Sequence, residues 1–115
     1  MRIGAIALLS VFAAACGSSF PPPNDEYTAA QQDVGRAEAG GAPGVPDAKL
    51  HLQLATEDLA KSKQLIDQDN KRAASLIALA RVEAQLALSL AKQQKAEASA
   101  QSAQTQLQSA KGGGK

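Results

Sequence analysis

Between Tyr27 and Ala91 apolar residues recur at intervals of three and four, the spacing that gathers them on one face of an α-helix. Tyr27, Ala30, Val34 and Ala37 form the first such stripe and predict a helix from about Glu26 to Ala39. Asn24 or Asp25 can cap it, and Asp25 and Glu26 suit the positive end of its dipole. Gly40-Gly41 ends the element. Pro43, Gly44 and Pro46 punctuate the next segment closely, so Ala42 to Pro46 is a loop.

A second helix is predicted from about Asp47 to Asp67. Ala48, Leu52, Ala55, Leu59, Ser62 and Ile66 recur at four-three-four-three-four, with Leu50, Leu54 and Leu65 widening the stripe. Glu57 and Lys61 form an i,i+4 pair in the favourable order. Asp67-Gln68-Asp69-Asn70 then makes a tight polar turn.

The third helix begins near Lys71 and carries two apolar stripes. Leu76, Leu79, Val82, Leu86 and Leu90 form a large-residue stripe, and Ala73, Ile77, Ala80, Ala84, Ala87 and Ala91 a small-residue one. Two adjoining apolar faces suit a helix packed against two neighbours, with alanine allowing close approach. The expected fold is therefore all-α: a short helical bundle built on an antiparallel hairpin of the second and third helices. The first helix covers its groove.

Length sets a further constraint. At 1.5 Å per residue the second helix spans about 32 Å, whereas Lys71 to Lys111 would span about 62 Å. Beyond Ala91 the chain must overhang or unravel. Ala96, Ala100, Ala103, Leu107 and Ala110 keep a four-three spacing, and alanine and glutamine propagate a helix well, but this stripe is too thin to hold a helix alone. Two alternatives follow for 92–111: oligomerisation as an alanine-rich coiled coil, or a frayed helix running into a tail. Gly112-Gly113-Gly114-Lys115 is expected to be flexible.

The N-terminus follows a different pattern. Arg2 precedes an apolar run of about nine residues and then Ala13-Ala14-Ala15, the order of an export signal over residues 1–15. The run is too short to cross a hydrocarbon core, which takes about 20 residues, and no second apolar stretch of that length follows. Cys16, the single cysteine, stands directly behind it. Residues 16–25 then form a tether, in which Pro21-Pro22-Pro23 favours an extended, semi-rigid spacer. The three-helix domain occupies 26–91, the polar Ala/Gln-rich extension 92–111 and the tail 112–115.

Composition narrows the chemistry. One His, one Tyr, two Phe and no Trp allow only a thin core, and one cysteine allows no intramolecular disulfide. Charge is uneven: Asp25 to Asn70 holds nine acids and four bases, and Lys71 to Lys115 seven bases and two acids. The two halves attract in an antiparallel hairpin, although exposed pairs contribute only about 0–1 kcal/mol. The basic half is too dilute and too poor in aromatics for nucleic acid.

No catalytic or metal-binding constellation is evident, and no cofactor is expected. His51 is a single imidazole off the clean stripe of the second helix, where one nitrogen ligand is too few for a metal site. Asp67, Asp69 and Asn70 resemble the start of a calcium loop but lack its glycine and terminal Glu. Gly40-Gly41-Ala42-Pro43-Gly44 lacks the Lys-Ser/Thr of a phosphate loop.

Ala13-Ala14-Ala15-Cys16-Gly17-Ser18-Ser19 resembles the lipobox of bacterial lipoproteins, with Ala13 where leucine is usual. The resemblance implies a diacylglycerol on the Cys16 sulfur, cleavage before Cys16 and a third acyl chain on the new amine. Without an acidic residue at Gly17 or Ser18, it further implies an outer-membrane address with the helical domain facing the periplasm. The alternative is an ordinary secretory signal cut at an alanine, with Cys16 incidental. Several acyl chains, at about 0.8 kcal/mol per buried methylene, would make attachment effectively permanent.

Ala29-Ala30, Ala37, Ala39-Gly40-Gly41-Ala42, Ala48-Lys49-Leu50, Leu59-Ala60 and the Ala/Leu helix from Ala73 to Ala91 resemble small bacterial envelope lipoproteins with an alanine-rich helical domain of unknown function. The likeness runs from Tyr27 to about Glu97 and implies a helical fold and an envelope location, with no activity. More distantly, Cys16 and the C-terminal Lys115 are similar in position to the lipid and peptidoglycan attachment points of the major murein lipoprotein.

Three roles are compatible with these features. The first is a non-catalytic, lipid-anchored helical spacer or docking surface. The second is a structural lipoprotein joined to peptidoglycan through Lys115. The third is an accessory subunit that binds an envelope protein through Lys92 to Lys111.

Overall fold

A computed structural model describes residues 19–114, so Cys16 and Lys115 lie outside the described residues. All regular structure there is helical: α1 Asn24–Ala39, a short 3-10 turn at Ala42–Gly44, α2 Pro46–Leu65 and α3 Asn70–Gly112. Ala48 and Leu52 of α2 pack with Ala87 and Ala91 of α3, while Leu59 packs with Ile77 and Ala80. As α2 advances, its partners in α3 recede, and the pair is an antiparallel hairpin. α1 runs parallel to α3, with Ala30 against the Ile77 end and Ala37 against the Ala87 end. The expected all-α hairpin with a third covering helix is therefore the observed fold.

The element boundaries differ in instructive ways. Neither Asn24 nor Asp25 caps α1 with its side chain. The capping residue is Pro23, and Tyr27 N–H donates to its carbonyl at 3.0 Å. Helix geometry thus begins as soon as the proline run stops. α2 ends at Leu65, not Asp67, because Ile66 leaves helical geometry at ψ 133° and Asp67 takes the left-handed φ of 71°. Asp69 then caps α3, its Oδ1 accepting from Arg72 N–H at 3.0 Å.

The core is built of small residues. Ala73, Ala80, Ala84 and Ala87 of α3 are fully buried, and Ile77 is the largest apolar side chain so enclosed. The large-residue stripe packs only in part: Leu90 lies against the core and Leu76 is half-buried, but Leu79, Val82 and Leu86 remain 47%, 62% and 40% exposed. Both short helices approach the one alanine stripe. α1 flanks it on the side of Arg81 and Leu88, and α2 on the side of Glu83. Alanine lets both come close enough to share that stripe, so the outward leucines are left uncovered.

Gly40, at the end of α1, faces Leu88 of α3. A Cβ there would meet the end of the Leu88 side chain, which would have to turn aside, and would stand 3.0 Å from the Arg36 carbonyl oxygen. The next residue, Gly41, turns the chain at φ 98°, where a side chain is strained.

α3 continues as helix through 92–111 with every side chain exposed, and it ends at Gly112. The frayed-tail alternative therefore does not hold for these residues. The packed half supplies the nucleus whose formation is the costly step, and alanine and glutamine extend it at little further cost. At 1.5 Å per residue α3 is about 65 Å long and α2 about 30 Å. The rod outruns its partners by half its length.

α3 also holds an 18-residue window of mean hydropathy 1.4, long and apolar enough to cross a membrane by length and composition. The sequence reading of no second apolar stretch missed it because alanine, individually small, accumulates over such a window. In the fold its buried face is the contact for α1 and α2.

Candidate functional site

Among the described residues two side-chain ion pairs join one helix to another, Asp33–Arg81 and His51–Glu83. Asp33 faces inward from α1 between Ala30 and Ala37 and is 6% exposed. Arg81 of α3 donates from Nε to its Oδ2 at 2.9 Å, and Arg36 reaches its Oδ1 at 3.1 Å. A buried carboxylate with both oxygens satisfied by guanidinium groups is a helix-to-helix bolt. Sequence reading missed it, although Asp33 sits between stripe residues Ala30 and Val34, a position where a charge needs a partner.

His51 plays the corresponding part on the other side. Its Nδ1 lies 2.5 Å from Glu83 Oε2, across the α2–α3 hairpin. Both side chains are partly buried, at 27% and 20% exposure. The pair ties α2 to α3, where Glu83 lies between the two apolar contacts of the hairpin. Glu57 and Asp58 each stand 4.0 Å from Lys61, and at such distances these pairs add little.

The polar turn between α2 and α3 is internally satisfied. Asn70 Oδ1 accepts from Asp67 N–H at 2.7 Å, and Asn70 Nδ2 donates to the Phe20 carbonyl at 2.9 Å. Together with the Asp69 cap, these bonds explain the acidic cluster as turn chemistry. Among the described residues no group of three or more His, Cys, Asp or Glu is placed to hold a metal ion. No buried side-chain nitrogen or oxygen there lacks a partner.

Two open grooves run between α1 and α2. One passes Glu38, Lys49, Gln53 and Thr56, and the other Tyr27, Gln31, Leu59 and Lys63. Neither gathers an acid, a base and a nucleophile at hydrogen-bond distance. The features that remain unpartnered are the outward face of α3 and its overhang. Of the sequence-singled residues, His51 and Asp67 to Asn70 are in structural bonds, whereas Cys16 and Lys115 lie outside the described residues.

The chain matches no curated protein and no solved structure. A family model does match residues 25–103, which takes in α1, α2 and all of α3 up to the middle of the overhang. The resemblance read from Tyr27 to Glu97 falls inside that span. By that match the chain belongs to the family described as a domain of unknown function, DUF4398.

Proposed function

We propose that this is a non-catalytic, lipid-anchored envelope protein that acts as a helical spacer and docking surface. The observation that carries the reading is the order of parts along one rod. At one end Asn70 holds the Phe20 carbonyl, four residues after Cys16. From that end α3 runs past its last buried residue, Ala91, to Gly112. A tether at the base and an unpartnered helix at the tip are the two things a spacer needs.

The apolar window of α3 fits this reading as the spine of the bundle. Arg81 and Glu83 sit within the packed half, paired to Asp33 and His51, and charged groups are costly in hydrocarbon. The signal-like residues 1–15 and the small-residue run before Cys16 support acylation, and Gly17 and Ser18, neither of them acidic, support an outer-membrane address with the bundle in the periplasm. Replacing Cys16 by alanine is expected to move the protein from the membrane to the soluble fraction with helix content unchanged. Retention of Cys16→Ala in washed membranes would overturn the reading.

One observation favours a second reading, attachment to peptidoglycan through Lys115. α3 carries the chain away from the tether as far as Gly112, three positions before that lysine. Mass spectrometry of muropeptides released by lysozyme is expected to show a Lys115-linked fragment if this holds. Muropeptides without one exclude it.

A further inference from the structure

The four large apolar residues that α3 leaves exposed fall in one register. Leu79, Val82 and Leu86, followed after three heptads by Leu107, are 47%, 62%, 40% and 61% exposed. Taking Leu79 as position a of a heptad, Val82 is d, and Leu86 and Leu107 are again a. The intervening seam positions are Ser89, Gln93, Ala96, Ala100 and Ala103, and Ala110 closes the series. This three-four alternation is unbroken from Leu79 to Ala110, about 47 Å of helix. It joins the outward leucines of the packed half to the alanine stripe of the overhang.

The seam is separate from the buried stripe of Ala73 to Ala91 and lies on the opposite side of α3. α1 and α2 occupy the buried side, so a helix laid on the seam meets neither as an obstacle. Leu50 and Leu54 of α2 are also exposed, at 54% and 38%, within one turn of His51. The His51–Glu83 pair holds that part of α2 beside the seam. The stripe is thus more than a row of small residues.

We infer that the occupant is a second copy of this chain, packed parallel and in register. One pair of charges flanking the seam supports it. Lys92 stands at g and Glu97 at e, five residues later, which is the offset at which g of one helix meets e of its parallel partner. By two-fold symmetry the pair forms twice. Among the described residues Lys92 has no ion pair within its own chain. Glu97 is steadied on that flank by Gln93 Nε2, which donates to its Oε1 at 2.9 Å. Antiparallel packing of the whole seam instead sets both Glu97 side chains on the same flank near the two-fold axis.

The polar members of the seam agree with this register. Ser89 already donates its hydroxyl to Gln85 O at 2.9 Å, so it enters an apolar layer without an unmet donor. Gln93, at an a position, faces its own copy only when the helices are parallel and unshifted, the arrangement in which a polar a layer fixes register. Parallel packing also places both Phe20–Asn70 ends at the same end of the dimer. The inference stands whether or not Cys16 is acylated.

The test uses the full chain in mild detergent. Sedimentation equilibrium at high micromolar concentration is expected to give the mass of two chains for wild type and one for Val82→Lys, with helical circular dichroism retained in both. Val82 is mostly exposed, so its replacement leaves the bundle intact. Under mild oxidation Ala100→Cys is expected to form a 100–100 disulfide above the background of wild type. Ala98→Cys, at the outer f position, is expected to stay at that background. A monomeric or trimeric wild type overturns the inference. So does cross-linking of Ala98→Cys equal to that of Ala100→Cys, or pairing of Ser89→Cys with Ala100→Cys in mixed samples, which reports an antiparallel seam.

Discussion

Asn70 donates from Nδ2 to the carbonyl of Phe20, fifty positions earlier, at 2.9 Å. The same amide accepts from Asp67 N–H at 2.7 Å, so one side chain ties the tether to the left-handed turn that starts α3. Replacing Asn70 by alanine is expected to lower stability by about 0.5–1.5 kcal/mol. Hydrogen exchange is the sharper measurement. The Asp67 amide should lose protection in Asn70→Ala while amides in the middle of α2 keep theirs, and unchanged Asp67 protection would contradict the bond.

The Asp33 bolt should outweigh any exposed charge pair. Asp33→Ala is expected to cost about 1–3 kcal/mol in urea denaturation, since Arg81 and Arg36 both lose their acceptor. Lys61→Ala, whose pairs stand at 4.0 Å, is expected to change stability by less than about 0.5 kcal/mol. Equal effects from the two variants would remove Asp33 from its assigned role.

Gly40 and Leu88 form a coupled pair through space. Gly40→Ala introduces a methyl where the end of the Leu88 side chain sits; Leu88 can turn aside at the cost of a poorer rotamer, so the expected destabilisation is about 0.5–1.5 kcal/mol. Leu88→Ala in the same chain should recover part of that loss. The double variant would then be more stable than additivity allows, and simple additivity would argue against close contact between α1 and α3 at this point.

Residue size along α3 should have an inverted effect. Ala84 is fully buried, so Ala84→Leu is expected to cost about 1–3 kcal/mol through overpacking. Val82→Ala, at a site 62% exposed, should leave thermal unfolding of the single bundle within about 0.5 kcal/mol of wild type at dilute concentration. If Val82→Ala proved the more damaging of the two in the monomer, the observed packing face would be the wrong one.

The helices and their partners were legible because the three-four spacing of Ala48, Leu52, Ala55 and Leu59 leaves little choice of buried face. Spacing predicts that both apolar stripes of α3 pack, and does not show that α1 and α2 share the alanine one. Both helices close on Ala73, Ala80, Ala84 and Ala87, whose small side chains permit close approach, and Leu79, Val82 and Leu86 stay outside. The partners of Asp33 and His51 lie 48 and 32 positions away, and periodicity carries no information on such pairs. The overhang was legible as a length mismatch. That it stays helical follows from nucleation by the packed half, a property of the fold and not of the segment.

The central claim is that the rod is fixed to a membrane by its base, and intact-mass spectrometry of the N-terminus purified from membranes tests it most directly. The account predicts a chain beginning at Cys16 and carrying the mass of diacylglycerol plus an amide-linked acyl group. A chain beginning at another residue, or at Cys16 with an unmodified thiol, would contradict it.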